Sequence, residues 1–378
     1  MTAVVSVIER AWRGEGFAGR AIRSALVPLS VVFSVAVRLR ALAYRLHLRR
    51  QRRLPAAVVS VGNLSIGGTG KTPTALWLAQ RLKRRGYRVA ILSRGYGGAA
   101  REPTVTGAPQ AATQPADASA DAARVGDEAL LLARRFEGPV IVARRRGEAG
   151  ALACGEFGSE VLVLDDGFQH FGLHRDFDLV CLRTSVAGDD RLLPAGRLRE
   201  PLTALRRADA VLMTENAPTE RPSATFENRF AEVAVYHGQL RATCLVTPDP
   251  TGWRELPMGI LAVRRALGVA GVADPRSFYR TLREWDARIE DFLEFPDHHV
   301  YTLQDWKTIA HRSRELDLVV TTEKDLVKLE RFPFAKDKLV AVRVSMEIVD
   351  GERLLDAVVQ AIENRREELG SGRETGRQ

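Results

Sequence analysis

Ser65-Ile66-Gly67-Gly68-Thr69-Gly70-Lys71-Thr72 is the segment that most constrains how this chain folds. It follows an apolar run, Val58-Val59-Ser60-Val61. It precedes a stretch from Pro73 to about Arg85 with Leu76, Leu78, Ala79 and Leu82 at helical spacing. A strand, a glycine-rich turn and a helix in that order form a phosphate loop. Gly67, Gly68 and Gly70 permit a tight turn at positive φ and a close backbone approach. The N–H groups of the loop, that of Thr69 included, and the helix N-terminus face an anion. Lys71 reaches the outer phosphates, and the Thr72 hydroxyl suits Mg²⁺. Pro73 falls in the first helical turn, where its missing N–H costs nothing. Ser65 stands where the pattern has its opening glycine. Tyr87 to Leu92 supplies the next strand, so the expected fold is α/β, with a P-loop NTPase-type parallel sheet core.

A second apolar strand, Val161 to Leu164, delivers Asp165 and Asp166 at its carboxyl end. Ligand sites of open parallel sheets lie at those ends. Successive strand residues face opposite sides, so one aspartate can serve a Mg²⁺ site while the other faces a neighbour. Gly167, Phe168, Gln169 and His170 follow as a loop; His170 either binds substrate or satisfies a local carbonyl. Asp127 and Glu128 open another helix. Aspartate there is most often an N-cap. It is also the residue type that accepts a hydroxyl proton in phosphoryl transfer. Asp297-His298-His299 is the other conspicuous polar cluster. It lacks further ligands for a metal, and pairing of a histidine with a carboxylate competes with a solvated loop role. Further strands are expected at 140–143, 178–182, 210–213, 261–270 and 318–320. Thr322 with Asp325 resembles a capping box.

The segment before the phosphate loop carries its own pattern. Ala25 to Val37 has no charge and is flanked by arginines, including Arg20, Arg23, Arg38, Arg40 and Arg45. The run is shorter than the roughly 18 apolar residues of a membrane span. Leu39, Leu42, Tyr44 and Leu46 continue it among arginines, which suits a basic amphipathic helix on an anionic membrane. A helix packed on the protein body is the alternative. The net charge of +9 suits any anionic partner. Cys154, Cys181 and Cys244 are far apart, which argues against a zinc or disulfide framework and fits a reducing cytoplasm. The stretch 103–123 reads as a mobile surface loop, and the polar residues from 365 as a disordered tail.

Taken in order, VGNLSIGGTGKTP, ILSRGYGG, VGDEALLLA, VLVLDDGFQH, LLPAGRLREP, FPDHHVYT and VVTTEKDLVKL make the chain resemble the tetraacyldisaccharide 4′-kinases of lipid A synthesis, from about Leu54 to Ala361. The resemblance implies transfer of the γ-phosphate of ATP, with Mg²⁺, to the 4′-hydroxyl of a tetraacyldisaccharide 1-phosphate. It implies a phosphate-loop domain, 54–222, and a smaller α/β lid domain, 223–364, behind an N-terminal membrane-associating helix within 1–53. Asp127 becomes the catalytic base with His298, ahead of His299, as its partner, and Lys71 acts on the phosphates. Asp165 and Asp166 become metal-site residues. Arg199, Glu200, Glu128 and His170 become phosphate-binding or supporting residues. The expected setting is the cytoplasmic face of the inner membrane, with an anionic membrane surface as partner and no obligate protein partner. A switch or partition-type ATPase shares the GGxGKT core, although Ile66 stands where such proteins carry an early lysine. Nucleic-acid binding has only the positive charge behind it.

Overall fold

The computed structural model describes residues 12, 16–95, 98, 102–107, 124–184, 191–215, 230–250 and 252–375. The chain forms two compact units. One comprises 1–71, 163–239 and 348–378, and the other 72–162 and 240–347. These units interleave along the sequence, whereas the sequence reading drew consecutive domains with a boundary at 222/223. Residues 216–229, where that boundary falls, lie outside the described residues.

In the first unit, helices α1 (Gly16–Ala25) and α2 (Val27–Arg45) precede strand β1 (Ala57–Asn63), which is buried along its whole length. Strands β6 (Phe177–Arg183), β7 (Ala210–Glu215) and the start of β8 (Ala234–Asp249) extend a parallel sheet from β1. The register runs through Val59 opposite Phe177, Leu179 opposite Ala210 and Ala210 opposite Ala234. The end of β5 (Val161–Asp165) lies on the other side of β1. Near-continuous apolar runs such as Val58–Val61, interrupted only by Ser60, are what a parallel strand covered on both faces requires. Leu64, Phe168, Val180, Leu198 and Met213 form its core. The last helix, α10, runs through Gly351–Thr375. The disordered tail expected from 365 is therefore helical as far as Thr375. Buried Arg365 explains the extension: it donates to the Leu54 carbonyl at 3.2 Å and pairs with Glu368 one turn on at 2.8 Å.

In the second unit, helix α3 (Lys71–Arg84, from Thr72 onward) and strand β2 (Val89–Ser93) are followed by β4 (Val140–Val142), parallel to β2. A short strand β3 (Thr104–Thr106) pairs antiparallel with β4. The start of the expected mobile loop is thus ordered by its Thr-Val-Thr sequence, which favours a strand; residues 108–123 lie outside the described residues. Helices α4 (Asp127–Arg135) and α5 (Arg146–Phe157) complete this part. Beyond β8 come β9 (Gly252–Leu256), helix α6 (Ile260–Val263), β10 (Arg265–Ala270), helix α7 (Pro275–Glu284) and β11 (Arg288–Glu294). Helix α8 (Leu303–Arg312), β12 (Leu318–Thr322), helix α9 (Glu323–Leu329) and β13 (Leu339–Ile348) follow. Strands β11, β10, β12 and β13 are parallel in that order. The stretch 261–270, expected as one strand, divides into α6 and β10.

Helices α4 and α9 pack together through Leu130 and Val327. An ionic cluster reinforces them: Arg135 donates to Glu323 at 3.0 Å, and Arg343 on β13 donates to the same carboxylate at 3.0 Å. Glu323 is buried, and burial raises its pKa against the pull of the two arginines.

Candidate functional site

The candidate residues gather in two side-chain clusters, one in each unit. The first surrounds the phosphate loop. Gly67 and Gly70 have φ of 110° and 76°, and a Cβ on Gly67 would meet no atom. Backbone conformation, not crowding, therefore requires glycine there. Ser65 is not among the positive-φ residues; it is buried in an antiparallel bridge to Leu198, which explains why no glycine is needed at that position. Ile66 N–H donates to the Arg197 carbonyl at 2.9 Å, and Arg199 N–H donates to that of Leu64 at 2.6 Å. The LLPAGRLREP segment thus buttresses the loop from outside.

Asn63, at the end of β1, braces the loop from inside. Its amide donates to the Ser65 carbonyl at 2.6 Å and to Thr69 Oγ1 at 3.0 Å, and its oxygen accepts from Lys71 Nζ at 3.4 Å. Lys71 Nζ also lies 3.2 Å from Asp166 Oδ1. Asp166 has φ of 60°, left-handed, and Arg199 Nη1 donates to its two oxygens at 3.2 and 3.0 Å. Burial pushes the Asp166 carboxyl up, but Lys71 and Arg199 together hold it below the ordinary carboxylate range. Asp165 and Thr72 are buried. Glu200, also buried, is gripped by Arg207 through two 2.8 Å hydrogen bonds. The His170 carbonyl accepts from Arg175 at 2.8 Å.

The second cluster forms at the start of α4. Gly126, with φ of 88°, precedes Asp127, which is itself the first helical residue. Asp127 is therefore not the N-cap, although its Oδ1 accepts from the Glu128 N–H at 2.9 Å. Asp127 is 7% exposed, with His298 Nδ1 at 3.0 and 3.2 Å from its carboxylate oxygens and Lys328 Nζ at 3.6 Å. Burial raises its pKa. The His298 hydrogen bond and the charges of His298, Lys328 and Lys324 outweigh burial and bring it to about 2. In return, the hydrogen bond to Asp127 raises His298 above its ordinary 6.5, against burial. Glu128 pairs with Lys324. His299 turns elsewhere: Nε2 lies 3.1 Å from Asp305 Oδ2, and the ring stacks on Phe295. Thr322 caps α9 by accepting from the Asp325 N–H at 3.2 Å. The Asp325 carboxylate in turn accepts from the Gly271 N–H at 2.9 Å and lies 3.1 Å from Lys328.

Asn63, Lys324 and Lys328 carry no assignment from sequence. The lysines are four apart on α9 and share one helix face, a spacing that was there to be seen. Among the described residues no group of three or more His, Cys, Asp or Glu could hold a metal. Asp165, Asp166 and Thr72 are hard oxygen donors, and Mg²⁺ is held by one or two carboxylates with the remaining positions left to waters and phosphates. The residues fit a cation that arrives with a nucleotide.

Comparison with known proteins identifies the family. The family described as LpxK, tetraacyldisaccharide-1-P 4′-kinase, matches residues 22–363. A tetraacyldisaccharide 4′-kinase of Pelobacter propionicus is 38% identical over 90% of this chain and 92% of its own length. One from Anaeromyxobacter sp. (strain K) is 39% identical over 94% and 96%. The crystal structure of an "apo" form of LpxK from Aquifex aeolicus in complex with ATP superposes with a TM-score of 0.75 at 30% identity, covering 90% of this chain and 99% of that one. The chain belongs to the tetraacyldisaccharide-1-P 4′-kinase family.

Proposed function

We propose that Asp127 is the base and His298 its partner in the ATP-dependent phosphorylation of the 4′-hydroxyl of a tetraacyldisaccharide 1-phosphate. The chain is a kinase of lipid A synthesis that uses ATP with Mg²⁺, and its substrate is a lipid disaccharide. The family assignment removes the switch-ATPase alternative. In the reaction the 4′-oxygen attacks the γ-phosphorus, the bond to the ADP oxygen breaks, and the hydroxyl proton passes to Asp127. His298 and Lys328 hold that carboxylate ionised and aimed until the proton arrives. Lys71 and the N–H groups of residues 67–70 stabilise negative charge on the phosphate oxygens. Mg²⁺, when bound, offsets further phosphate charge, with Asp165, Asp166 and Thr72 as its candidate protein ligands. Arg199 keeps Asp166 in place, and Glu200 and Glu128 support the site through their arginine and lysine partners.

The observation that carries this reading is a buried, ionised Asp127 held by a histidine and a lysine at the start of a helix. The test is transfer of labelled γ-phosphate from ATP·Mg²⁺ to detergent-dispersed tetraacyldisaccharide 1-phosphate. Wild type should label the lipid and Lys71→Ala should not. ATP hydrolysis without lipid labelling would overturn the assignment.

We further propose that the protein works on an anionic membrane surface, at the cytoplasmic face of the inner membrane, without an obligate protein partner. Helix α2 supports this reading. It is long and apolar enough to cross a membrane by length and composition, and Val27, Leu29, Val31, Val32, Val35, Leu39 and Leu42 are exposed along it. Helical structure extends through Arg45, beyond the uncharged run. An acylated substrate stays in the bilayer, so the enzyme must reach it there. Removing the residues before about Arg50 should abolish co-sedimentation with phosphatidylglycerol vesicles; unchanged sedimentation would place membrane contact elsewhere.

A further inference from the structure

Helix α2 has a second role beside its apolar face. Near its C-terminus, Tyr44 stacks on Phe171 with ring centroids 5.5 Å apart and planes 18° from parallel. The Arg40 guanidinium lies over the same ring at 5.5 Å, and its Nη2 donates to the Gln169 carbonyl at 3.2 Å. Both contacts fall on the loop directly after Asp166. From there two chains of contacts lead to Lys71. In one, the Gln169 amide donates to the Asn63 carbonyl at 2.8 Å, and Asn63 braces the phosphate loop and touches Lys71. In the other, the Phe171 ring lies 4.7 Å from the guanidinium of Arg207, which grips Glu200. Glu200 adjoins Arg199, and Arg199 holds the Asp166 carboxylate that pairs with Lys71.

A third tie runs from the middle of α2. The Ser30 hydroxyl donates to the Leu192 carbonyl at 3.0 Å and accepts from the Ala195 N–H at 2.9 Å. Both belong to the segment whose Arg197 carbonyl holds Ile66 of the phosphate loop. Aromatic stacks and cation–π contacts fix ring positions laterally, and buried amide bonds fix backbone position. Most of the exposed apolar side chains lie between Val27 and Val35, and replacing Arg40 or Tyr44 leaves those and the exposed Leu39 and Leu42 in place. The two roles are therefore separable by mutation.

We propose that Arg40 and Tyr44 are positioning residues for phosphoryl transfer: α2 seats Gln169 and Phe171 so that Asn63 and Arg199 keep Lys71 and Asp166 in register. This rests on the kinase reading and is independent of the membrane reading. Misplacement of reacting groups by about 1 Å costs up to 10²-fold in rate, so the loss of one of several ties should lower turnover by about tenfold.

The experiment uses the full chain with Arg40→Ala, Tyr44→Ala and Tyr44→Phe. It measures kcat, KM for ATP, KM for the dispersed lipid, the urea midpoint and sedimentation with phosphatidylglycerol vesicles. Both alanine variants should lose about tenfold in kcat while lipid KM and vesicle binding stay at wild type. Tyr44→Phe, which keeps the stacked ring, should behave as wild type. Arg40 is exposed, so Arg40→Ala keeps the test open if Tyr44→Ala fails to fold. Unchanged kcat in the alanine variants would overturn the proposal. So would a rise in lipid KM alone, which would make these residues substrate contacts. Transfer that survives Lys71→Ala would instead overturn the kinase-site reading itself.

Discussion

Replacing Asp127 with asparagine separates the chemical role of this carboxylate from its structural one. The group is mostly buried, and its pKa stands at about 2 against an ordinary 3.8. That difference is worth about 2 kcal/mol of folded-state stabilisation. Because the folded pKa is the lower one, this contribution is fully present above the unfolded value, near pH 4. It disappears as pH falls through about 2. Asp127→Asn should therefore be less stable than wild type by about 2 kcal/mol at pH 7, and the two proteins should converge towards pH 2. Urea unfolding at pH 7, 4 and 2.5 measures this part. If Asp127 accepts the hydroxyl proton, the asparagine should also cost roughly 10²–10⁴-fold in single-turnover transfer. A variant that shows the stability loss but transfers phosphate within tenfold of wild type would refute the base assignment and leave Asp127 a structural anion.

His298 sets a pH dependence of opposite sign. Its pKa is raised above 6.5, so the stability it contributes is present below 6.5 and is lost as pH rises through the folded value. Protonated His298 also holds Asp127 weakly basic, so kcat should rise with pH along a limb whose apparent pKa exceeds 6.5, and His298→Asn should abolish the limb; a flat wild-type profile between pH 6 and 9 would contradict this. Arg135→Met removes one partner of the buried Glu323 carboxylate and should cost about 3–5 kcal/mol in urea unfolding; a loss below about 1 kcal/mol would mean Arg343 alone satisfies Glu323. Gly62→Ala would set a Cβ 2.5 Å from that of Phe168, so overpacking should cost about 1–3 kcal/mol, and wild-type thermal stability would show that the loop yields.

The phosphate loop was legible because its pattern is local: glycines, lysine and threonine lie within one turn, between a strand and a helix that periodicity identifies. Asp166 was legible only as half of a pair. What distinguishes it from Asp165 is the left-handed turn at φ 60°, which breaks strand alternation at the second aspartate and turns it towards Lys71 and Arg199. On local pattern Asp127 read more readily as an N-cap than as a base, since the alternative depends on His298, 171 residues further along the chain. Lys328 stayed hidden for a similar reason: its partner Asp127 lies on another helix, and the ion pairs that join α4 to α9 have no local signature. The expected strand over 261–270 failed at α6, where apolar residues pack as a short helical turn before β10 begins. The polar end of α10 misled because composition does not reveal that one arginine is buried and bonded.

That buried arginine also bears on how the protein is made. Strand β1 delivers the phosphate loop, and the residue leading into it, Leu54, is held by Arg365 from 311 residues downstream. On its other side β1 pairs with β6, over a hundred residues later. A chain emerging from the ribosome at about 5–20 residues per second therefore exposes its first strand, unpaired and apolar, for roughly 6–24 s before β6 appears, and for longer before Arg365 does. The exposed face of α2 emerges just ahead of it. The same stretch thus presents the nascent chain with a hazard of misassociation. The nucleotide cradle acquires its full support only after Arg365 has been synthesised.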